Sequence, residues 1–349
     1  MRGKLRVLVL MHKDLVPPDS IEGMQNEEVD KAPWKTEYDV VASLKNLGHE
    51  VHALGVISDL GRIREALQEI KPHVAFNLLE EFDVVAVYDA HVVSYLELMR
   101  QPYTGCNPRG LILARDKALS KKLLAYHRIR VPSFHVFPKG RAIRRPARLH
   151  LPLFVKSVTE EGSRGISQAS LVRDDEKLQE RVEFIHRQVG TDAIAEEYIE
   201  GRELYVGMLG NQRLTTFPVW ELLFTKMPPD MPRIATGSVK WNVDYQKKWG
   251  IETQAAADLP DGANERIQRL CKRAYRILDL SGYARMDLRM TEAGEVYVLE
   301  ANPNPQIGSG EDLAESAEIA GLDYGPLLQR IMNLGMRYRA EWKAAADGS

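Results

Sequence analysis

The sequence predicts an α/β protein in which an N-terminal domain with a parallel, Rossmann-like sheet precedes a second half made of two parts. Strand-like and helix-like segments alternate over the first hundred residues, which is typical of a parallel sheet covered by helices. The remainder carries further strands, a hairpin and long amphipathic helices. A chain of 349 residues, 44% of them hydrophobic, suffices for two or three cores. We place the units at 1–104, 105–191 and 192–345.

The composition argues against two classes of partner. A formal net charge of −2 gives no overall attraction to nucleic acid or to a membrane surface. Two cysteines, Cys106 and Cys271, cannot form a disulfide framework and fit a reducing compartment.

The apolar run at 5–11 is too short to span a membrane, and no small-residue cleavage site accompanies it. We therefore expect a cytoplasmic protein.

The first unit begins with a continuous apolar run, as expected for a strand covered on both faces. Gly48 marks the end of one helix and Asp59 the start of the next. Ligands bind beyond the carboxyl ends of such strands, here His12 to Asp14 and Asn77 to Glu81. The elements are strand 5–11, helix 36–48, strand 50–56, helix 59–71, strand 73–79 and helix 87–99.

An irregular segment, Lys13 to Lys35, interrupts this alternation with three prolines and several acids. It is long for a connection between two elements of a compact domain. It is either a functional loop or a solvated excursion over the surface.

The second and third units also follow in order. The second has helix 116–127, strand 151–158, a tight turn at 160–167 and helix 174–188, whose first acids suit a helix N-terminus. The third has antiparallel strands at 193–199, 203–209 and 213–222, helix 264–280, a hairpin of 283–290 with 295–302, and two terminal helices.

The hairpin carries the clearest chemical pattern. Strict alternation puts Arg285, Asp287 and Arg289 on one face of their strand. On the partner strand it puts Val296, Val298, Glu300 and Asn302 on one face. Asp287, Glu300 and Asn302 then meet at one end of the sheet, and their oxygens suit a hard cation such as Mg²⁺. A solvated salt-bridge network with Arg285 is the second interpretation.

Two weaker signals point to a nucleotide. No Walker or dinucleotide glycine motif is present, but Lys156 ends an apolar strand just before the turn 160–167. A lysine and free N–H groups placed in this way can bind phosphate. In AEEYIEGREL, at 195–204, the backbone can read an adenine edge and a carboxylate can bind ribose. From the residues of 195–204 alone, a strand with exposed acids is the better interpretation.

Taken together, the motifs resemble the ATP-grasp fold and, within it, the D-alanine–D-alanine ligase family. The resemblance covers nearly the whole chain, including the terminal helices. It rests on six motifs in family-like order and spacing: PYTGCNPRG, ARDKALSKKLLAYHRIRVP, LFVKSVTEEGSRGI, AEEYIEGREL, GYARMDLRM and VLEANPNP.

The resemblance implies a role for each matched position. Lys117 and Lys156 would hold ATP phosphates, and Arg285 with the N–H after Pro305 would form an oxyanion hole. The phosphate-covering turn would comprise Glu161, Gly162, Ser163 and Gly165, with Ser163, Lys156 and Arg285 as catalytic candidates. The adenine site would be Glu196, Glu197, Tyr198 and Ile199, with Glu203 on the ribose. Two Mg²⁺ ions would bind Asp287, Glu300 and Asn302.

The implied reaction forms an amide. A small-molecule carboxylate attacks the γ-phosphate of ATP, and a small-molecule amine then attacks the resulting acyl phosphate. Metal and lysine neutralisation suits the first step, and Arg285 suits the oxyanion of the second. The resemblance also implies a homodimer. The alternatives are a small-molecule kinase and a non-catalytic nucleotide-binding module.

The sequence departs from the family where the substrates would bind. Where the family has a histidine-containing segment, either Glu80 or Glu81 takes its place, or the site of the first substrate has changed. Around Tyr245, at 240–250, Asp244 lies near the position of the family's loop lysine, and either Lys240 or Lys247 replaces it. After Gly308 and Ser309, the family's serine-leucine pair becomes Glu311 and Asp312.

These two acids would repel the carboxylate of an amino-acid acceptor. We therefore expect a product other than D-alanyl-D-alanine, made from an amine-rich acceptor such as a diamine or a basic amino acid. The alternative is that Glu311 and Asp312 cap the following helix.

Overall fold

The computed structural model of the chain describes residues 3–160, 162–228 and 231–343. It contains a parallel sheet of three strands and two antiparallel sheets of four and five strands. The predicted fold class is therefore confirmed. Among the helices of these residues, none has both the length and the apolar character that crossing a membrane requires.

The first sheet has the strand order β2-β1-β3, and all its strands run parallel. Its strands are β1 (Arg6–His12), β2 (Glu50–Val56) and β3 (Val74–Asn77). Its helices are α1 (Asn26–Asp30), α2 (Lys35–Asn46), α3 (Leu60–Ile70) and α4 (Asp89–Leu98). The side chain of Asp59 caps α3, as predicted. Strand β3 ends at Asn77, which pairs with Leu10 two residues before β1 ends at His12, so the segments after them share one edge.

The second sheet has the order β4-β7-β5-β6. Its strands are β4 (Phe134–Phe137), β5 (Leu153–Ser157), β6 (Leu171–Val172) and β7 (Ala193–Glu197). The helices of this region are α5 (Pro108–Arg115), α6 (Lys117–Tyr126) and α7 (Asp175–Phe184), which continues into a π turn, Ile185–Val189. Strand β7 follows the predicted start of the third unit in the chain, but it pairs with β4 and β5 of the second.

The third sheet has the order β10-β9-β8-β11-β12. Its strands are β8 (Arg202–Leu209), β9 (Thr215–Phe224), β10 (Ile251–Ala255), β11 (Tyr283–Met290) and β12 (Val296–Pro303). The helices are α8 (Gly237–Trp241), α9 (Val243–Trp249), α10 (Ala263–Ile277), α11 (Asp312–Ile319) and α12 (Tyr324–Arg337). Elements α8, α9 and β10 are not predicted above. The segment 240–250, which contains α9, is compared there with a flexible loop of the family, and no strand is predicted after it.

A β-bulge changes the hairpin from the predicted pattern. Asp287 pairs with Glu300, but Leu288 pairs with Val298, so Leu299 is an extra residue without a partner in the ladder. Val298 is buried in the core, whereas Glu300 opposes Asp287. The prediction that Val298 shares a face with Glu300 is therefore wrong, because the bulge shifts the alternation by one residue.

Candidate functional site

A pocket between the second and third sheets collects most of the residues predicted to bind nucleotide. Arg289 and Leu299, to which the sequence assigns no role, are also among its lining residues, as is Lys240, one of the two alternatives for the loop lysine. The predicted residues in its lining are Ser163, Glu196, Glu197, Tyr198, Ile199, Glu203, Asp287 and Glu300. Strand β7 supplies one wall of this pocket and the hairpin β11–β12 the other.

The predicted metal ligands lie opposite each other across the hairpin. Asp287 pairs in register with Glu300, and Arg285 pairs with Asn302. The Glu300 carboxylate lies 3.1 Å from Lys117 Nζ and 3.8 Å from Lys156 Nζ. Both Asp287 oxygens accept hydrogen bonds from Arg285, at 2.8 and 3.0 Å. Each carboxylate is therefore balanced by protein cations.

These cations keep Glu300 ionised. Burial raises the pKa of Glu300, but the charges of Lys117, Lys156 and Lys121 outweigh burial and lower this pKa to about 2. Burial likewise lowers the pKa of Lys156, and Glu196 and Glu300 more than offset it, so the pKa of Lys156 is raised. Glu300 and Lys156 therefore carry full charges at neutral pH.

The donor set fits a hard cation such as Mg²⁺. Two carboxyl groups and an amide lie at one end of the hairpin, and oxygen is the ligand that Mg²⁺ prefers. Within the described ranges, no cluster of three or more His, Cys, Asp or Glu side chains is arranged for a metal. The third ligand would therefore be the amide of Asn302. Its buried Nδ2 makes no hydrogen bond to the described residues.

The turn predicted to cover phosphates has a left-handed backbone. Gly162, Ser163 and Gly165 have φ of 63°, 62° and 75°. At Gly165 a Cβ atom would lie 2.8 Å from a side-chain carbon of Val189, so this position requires glycine. The Ser163 hydroxyl donates to Ala235 O at 3.0 Å, which ties the turn to the segment before α8. Glu161 lies outside the described residues.

Two of the three acids predicted to face the base and ribose, Glu203 and Glu197, have protein partners outside the pair of lysines that contact Glu196. Glu203 pairs with Arg289 at 2.6 Å and accepts a hydrogen bond from Tyr205 at 3.0 Å. The Glu197 carboxylate accepts a hydrogen bond from the backbone N–H of His150 at 2.9 Å. Glu197 also lines the pocket, as do the neighbouring residues of the same segment. A ribose contact by Glu203 would therefore share this carboxylate with Arg289.

Arg285 contacts both a predicted metal ligand, Asp287, and a predicted acceptor residue, Asp312. Its guanidinium stacks on the ring of Tyr205 at 4.7 Å and lies 3.6 Å from Asp312. Glu311 occupies the N-cap position of α11, yet its side chain makes no capping hydrogen bond. Burial and the neighbouring Asp312 raise the pKa of Glu311. The side-chain hydrogen bond expected if Glu311 served to cap α11 is therefore absent.

Helix α2 holds the loop that carries Gly308 and Ser309. Lys35 donates to Ser309 O at 3.1 Å, and Asp39 accepts from Ser309 N at 3.0 Å. A Cβ at Gly308 would lie 2.9 Å from the hydroxyl of Thr36, so the loop and the helix touch. We call these contacts the α2 clamp; no pattern in the sequence predicts them.

The remaining predicted substrate residues lie farther from the nucleotide pocket. Glu81 lies 3.9 Å from His12 at the carboxyl edge of the first sheet. Glu80, beside it, helps to raise the pKa of the buried Glu37 on α2, although burial is the main cause. Tyr245, on α9, packs against an aromatic cluster that contains Tyr205. None of Glu80, Glu81 and Tyr245 is among the residues that line the pocket between the second and third sheets.

Sequence reasoning missed two charged residues in the site. Lys121 lies one helical turn after Lys117, which the spacing in DKALSKK indicates. Arg289 shares a strand face with Arg285 and Asp287, and this alternation is visible in the sequence although it assigns Arg289 no role. Its partner Glu203 lies on the neighbouring strand β8.

Comparison with known proteins places this geometry in a family. The sequence profile described as D-ala D-ala ligase C-terminus matches residues 123–333. A D-alanine–D-alanine ligase of Desulforudis audaxviator is 30% identical over 304 residues, which are 84% of this chain and 90% of that enzyme. A protein of Sinorhizobium fredii, described as uncharacterized protein y4sG, is 29% identical over 315 residues, 87% of this chain and 89% of that protein.

A solved structure shares the fold. The crystal structure of D-alanine–D-alanine ligase from Bacillus anthracis complexed with ATP superposes with a TM-score of 0.73. The match covers 95% of this chain and 98% of that chain, at 22% sequence identity. At this identity the likeness concerns the fold.

Proposed function

Because this chain belongs to the D-alanine–D-alanine ligase family, we propose that it joins a small-molecule carboxylate to an amine while ATP is converted to ADP and phosphate. One observation carries the proposal. Glu300, paired in register with Asp287, meets Lys117 and Lys156 beside a pocket lined by β7. The residues proposed as metal ligands and as phosphate-binding lysines thus lie together beside one pocket, which supports the proposal.

The first step transfers the γ-phosphoryl group to the substrate carboxylate. Lys117 and Lys156 would turn from Glu300 to the phosphate oxygens and neutralise the charge that develops there. Asp287, Glu300 and Asn302 would hold two Mg²⁺ ions, which supply further neutralisation of the phosphates when bound. The turn 162–165 would cover the phosphates with its backbone N–H groups.

In the second step an amine attacks the acyl phosphate. The oxyanion that forms would receive hydrogen bonds from Arg285 and from the N–H after Pro305. The contacts of Arg285 with Asp287 and Tyr205 fix its planar guanidinium before the substrate arrives. Phosphate then leaves as the amide forms.

We also propose that the acceptor differs from D-alanine. Glu311 and Asp312 place two carboxyl groups next to Arg285, where an amino-acid acceptor would bring its carboxylate. Like charges in a confined site repel strongly, whereas an amine-rich acceptor would pair with them. Diamines and basic amino acids meet this requirement.

The experiment is a screen for ADP release in which a panel of carboxylates is combined with a panel of amines. The proposal requires at least one pair in which ADP release depends on both substrates and an amide accumulates. ADP release that needs only one substrate, with a phosphorylated product and no amide, would instead identify a kinase. We further propose that the protein is a homodimer and that it acts in the cytoplasm. Light scattering of the purified protein tests whether it is a homodimer.

A further inference from the structure

Lys121 is a buried lysine that the proposed chemistry does not use. It lies on α6, and only 2% of its side chain is exposed. Its Nζ is 3.1 Å from the carboxylate of Glu196 on β7, and it donates a hydrogen bond to the backbone oxygen of Leu299 on β12. One ammonium therefore connects the two walls of the nucleotide pocket.

The contact with Leu299 depends on the β-bulge. Leu299 is the extra residue of β12 and has no partner in the ladder with β11. The hydrogen bond from Lys121 gives its carbonyl a partner and pins β12 one residue before Glu300. Because Glu300 is a predicted metal ligand, a shift of this backbone would move that ligand.

Glu196 is shared between two lysines. The same carboxylate oxygen lies 3.1 Å from Lys121 and 3.2 Å from Lys156. Lys156 also reaches toward Glu300, whereas Lys117 pairs with Glu300 and not with Glu196 among the described residues. If Lys156 turns to a phosphate, Lys121 is the cation that remains to balance the buried Glu196.

We propose that Lys121 is a positioning residue that sets the spacing between strand β7 and the metal-binding end of β12. It holds Glu196, and with it the backbone of 196–199 that faces the base, at a fixed distance from Glu300. This inference rests on the proposed function, because it assigns the base to the β7 wall. Loss of Lys121 then weakens nucleotide binding and base discrimination more than it slows the chemical step.

The test compares Lys121→Met with Lys122→Met, which alters the exposed neighbour on the same helix. We expect Lys121→Met to raise KM for ATP by about tenfold, the usual scale for removing a charged hydrogen bond. We expect a smaller fall in kcat, and a reduced preference for ATP over GTP as phosphoryl donor. Lys122→Met should match the wild type in KM, kcat and base preference.

A second variant keeps the inference testable if Lys121→Met does not fold. Removing both members of a buried pair costs less than removing one, so Lys121→Met with Glu196→Gln should restore folding. That double variant should still show the raised KM and the weakened preference for ATP. A folded variant that lacks Lys121 but keeps wild-type KM and base preference overturns the inference. Wild-type protein that does not bind ATP at all would instead overturn the proposed function.

Discussion

Lys117 and Glu300 meet at 3.1 Å, although α6 and β12 belong to different parts of the fold. The same carboxylate also faces Lys156 and pairs in register with Asp287. Glu300 is thus the point at which lysines from the second sheet region meet the hairpin of the third sheet. A change at this residue should therefore affect metal, phosphate and lysine together.

Replacing Glu300 by Gln should reduce ATP turnover by at least ~100-fold, the scale on which a transition state depends on one electrostatic interaction. The amide keeps the shape but cannot balance the lysines or a metal ion. ADP release under saturating substrates measures the effect. Glu295→Gln, which removes an exposed partner of Arg130 on the same hairpin, is the control. Near-normal turnover in Glu300→Gln would contradict the assignment.

Arg285→Lys should leave nucleotide binding unchanged and reduce amide formation by about 100-fold. The guanidinium makes two parallel hydrogen bonds to Asp287 and stacks on Tyr205, and an ammonium cannot reproduce this geometry. Calorimetric titration with ADP and a rate assay of the product separate the two effects. If affinity and rate fall together, Arg285 is a structural residue or a phosphate ligand.

Lys240, rather than Lys247, should be the lysine that serves the phosphates from this region. Lys240 lines the pocket together with Glu300, whereas Lys247 is exposed on α9. Lys240→Met should therefore lower ATP turnover about tenfold or more, because the transition state would no longer have this positive charge beside the phosphates. Lys247→Met, measured in the same ADP-release assay, is its matched control. Equal effects of the two substitutions would exclude this assignment.

Replacing the acidic pair by the residues of the family, Glu311→Ser with Asp312→Leu, should shift acceptor preference away from amine-rich substrates. The reason is that the substitutions remove the carboxyl groups that repel an acceptor carboxylate next to Arg285. The measurement is kcat/KM across one acceptor panel for wild type and double variant. If the wild type already prefers D-alanine, or the preference order does not change, the acids serve the helix and not the substrate.

The stability of the protein should depend on pH through Glu37. Burial, with Glu80 and Asp39 nearby, raises the pKa of Glu37 from 4.5 to about 7. Between these values the folded state holds a proton that the unfolded state has released, so stability is full below about pH 4.5 and falls as pH rises through 7. Glu37→Gln should remove a penalty of roughly 2–3 kcal/mol at pH 8.

Melting temperatures at pH 5 and pH 8 measure this effect. The gain from Glu37→Gln should be larger at pH 8, and the exposed Glu65→Gln on α3 should show no such difference. A gain for Glu37→Gln that is the same at both pH values would show that Glu37 does not titrate in this range.

The sequence predicts elements well where one local signal decides them. The apolar run of β1 and the Asp59 cap of α3 are examples, and both agree with the structure. Helix α5 carries such a signal too, since Asn107 accepts a capping hydrogen bond and Pro108 occupies the first turn. That segment contributes to the family resemblance as a motif, but no helix is predicted for it above. The bulge at Leu299 has no local signature, so strict alternation misplaced Val298.

The same distinction between local and long-range signals applies to the residues of the candidate site. The alternation of Asp287 with its neighbours and the order of the motifs predict the candidate metal ligands and lysines, which the structure brings close together. The partners of these residues come from distant segments, as with Lys121 and Glu196 or Arg289 and Glu203. Such pairs depend on how two sheets pack, which no spacing along the chain encodes.

The α2 clamp bears on how this protein can be recombined with its relatives. Lys35 and Asp39 lie about 270 positions before Ser309 in the chain, yet they hold its backbone from both sides. A chimera that exchanges only the C-terminal half would therefore receive a new loop at 308–309 without the helix that contacts it. If this loop binds the acceptor as proposed, residues from both halves of the chain determine acceptor choice, and such a chimera should use ATP but ligate poorly.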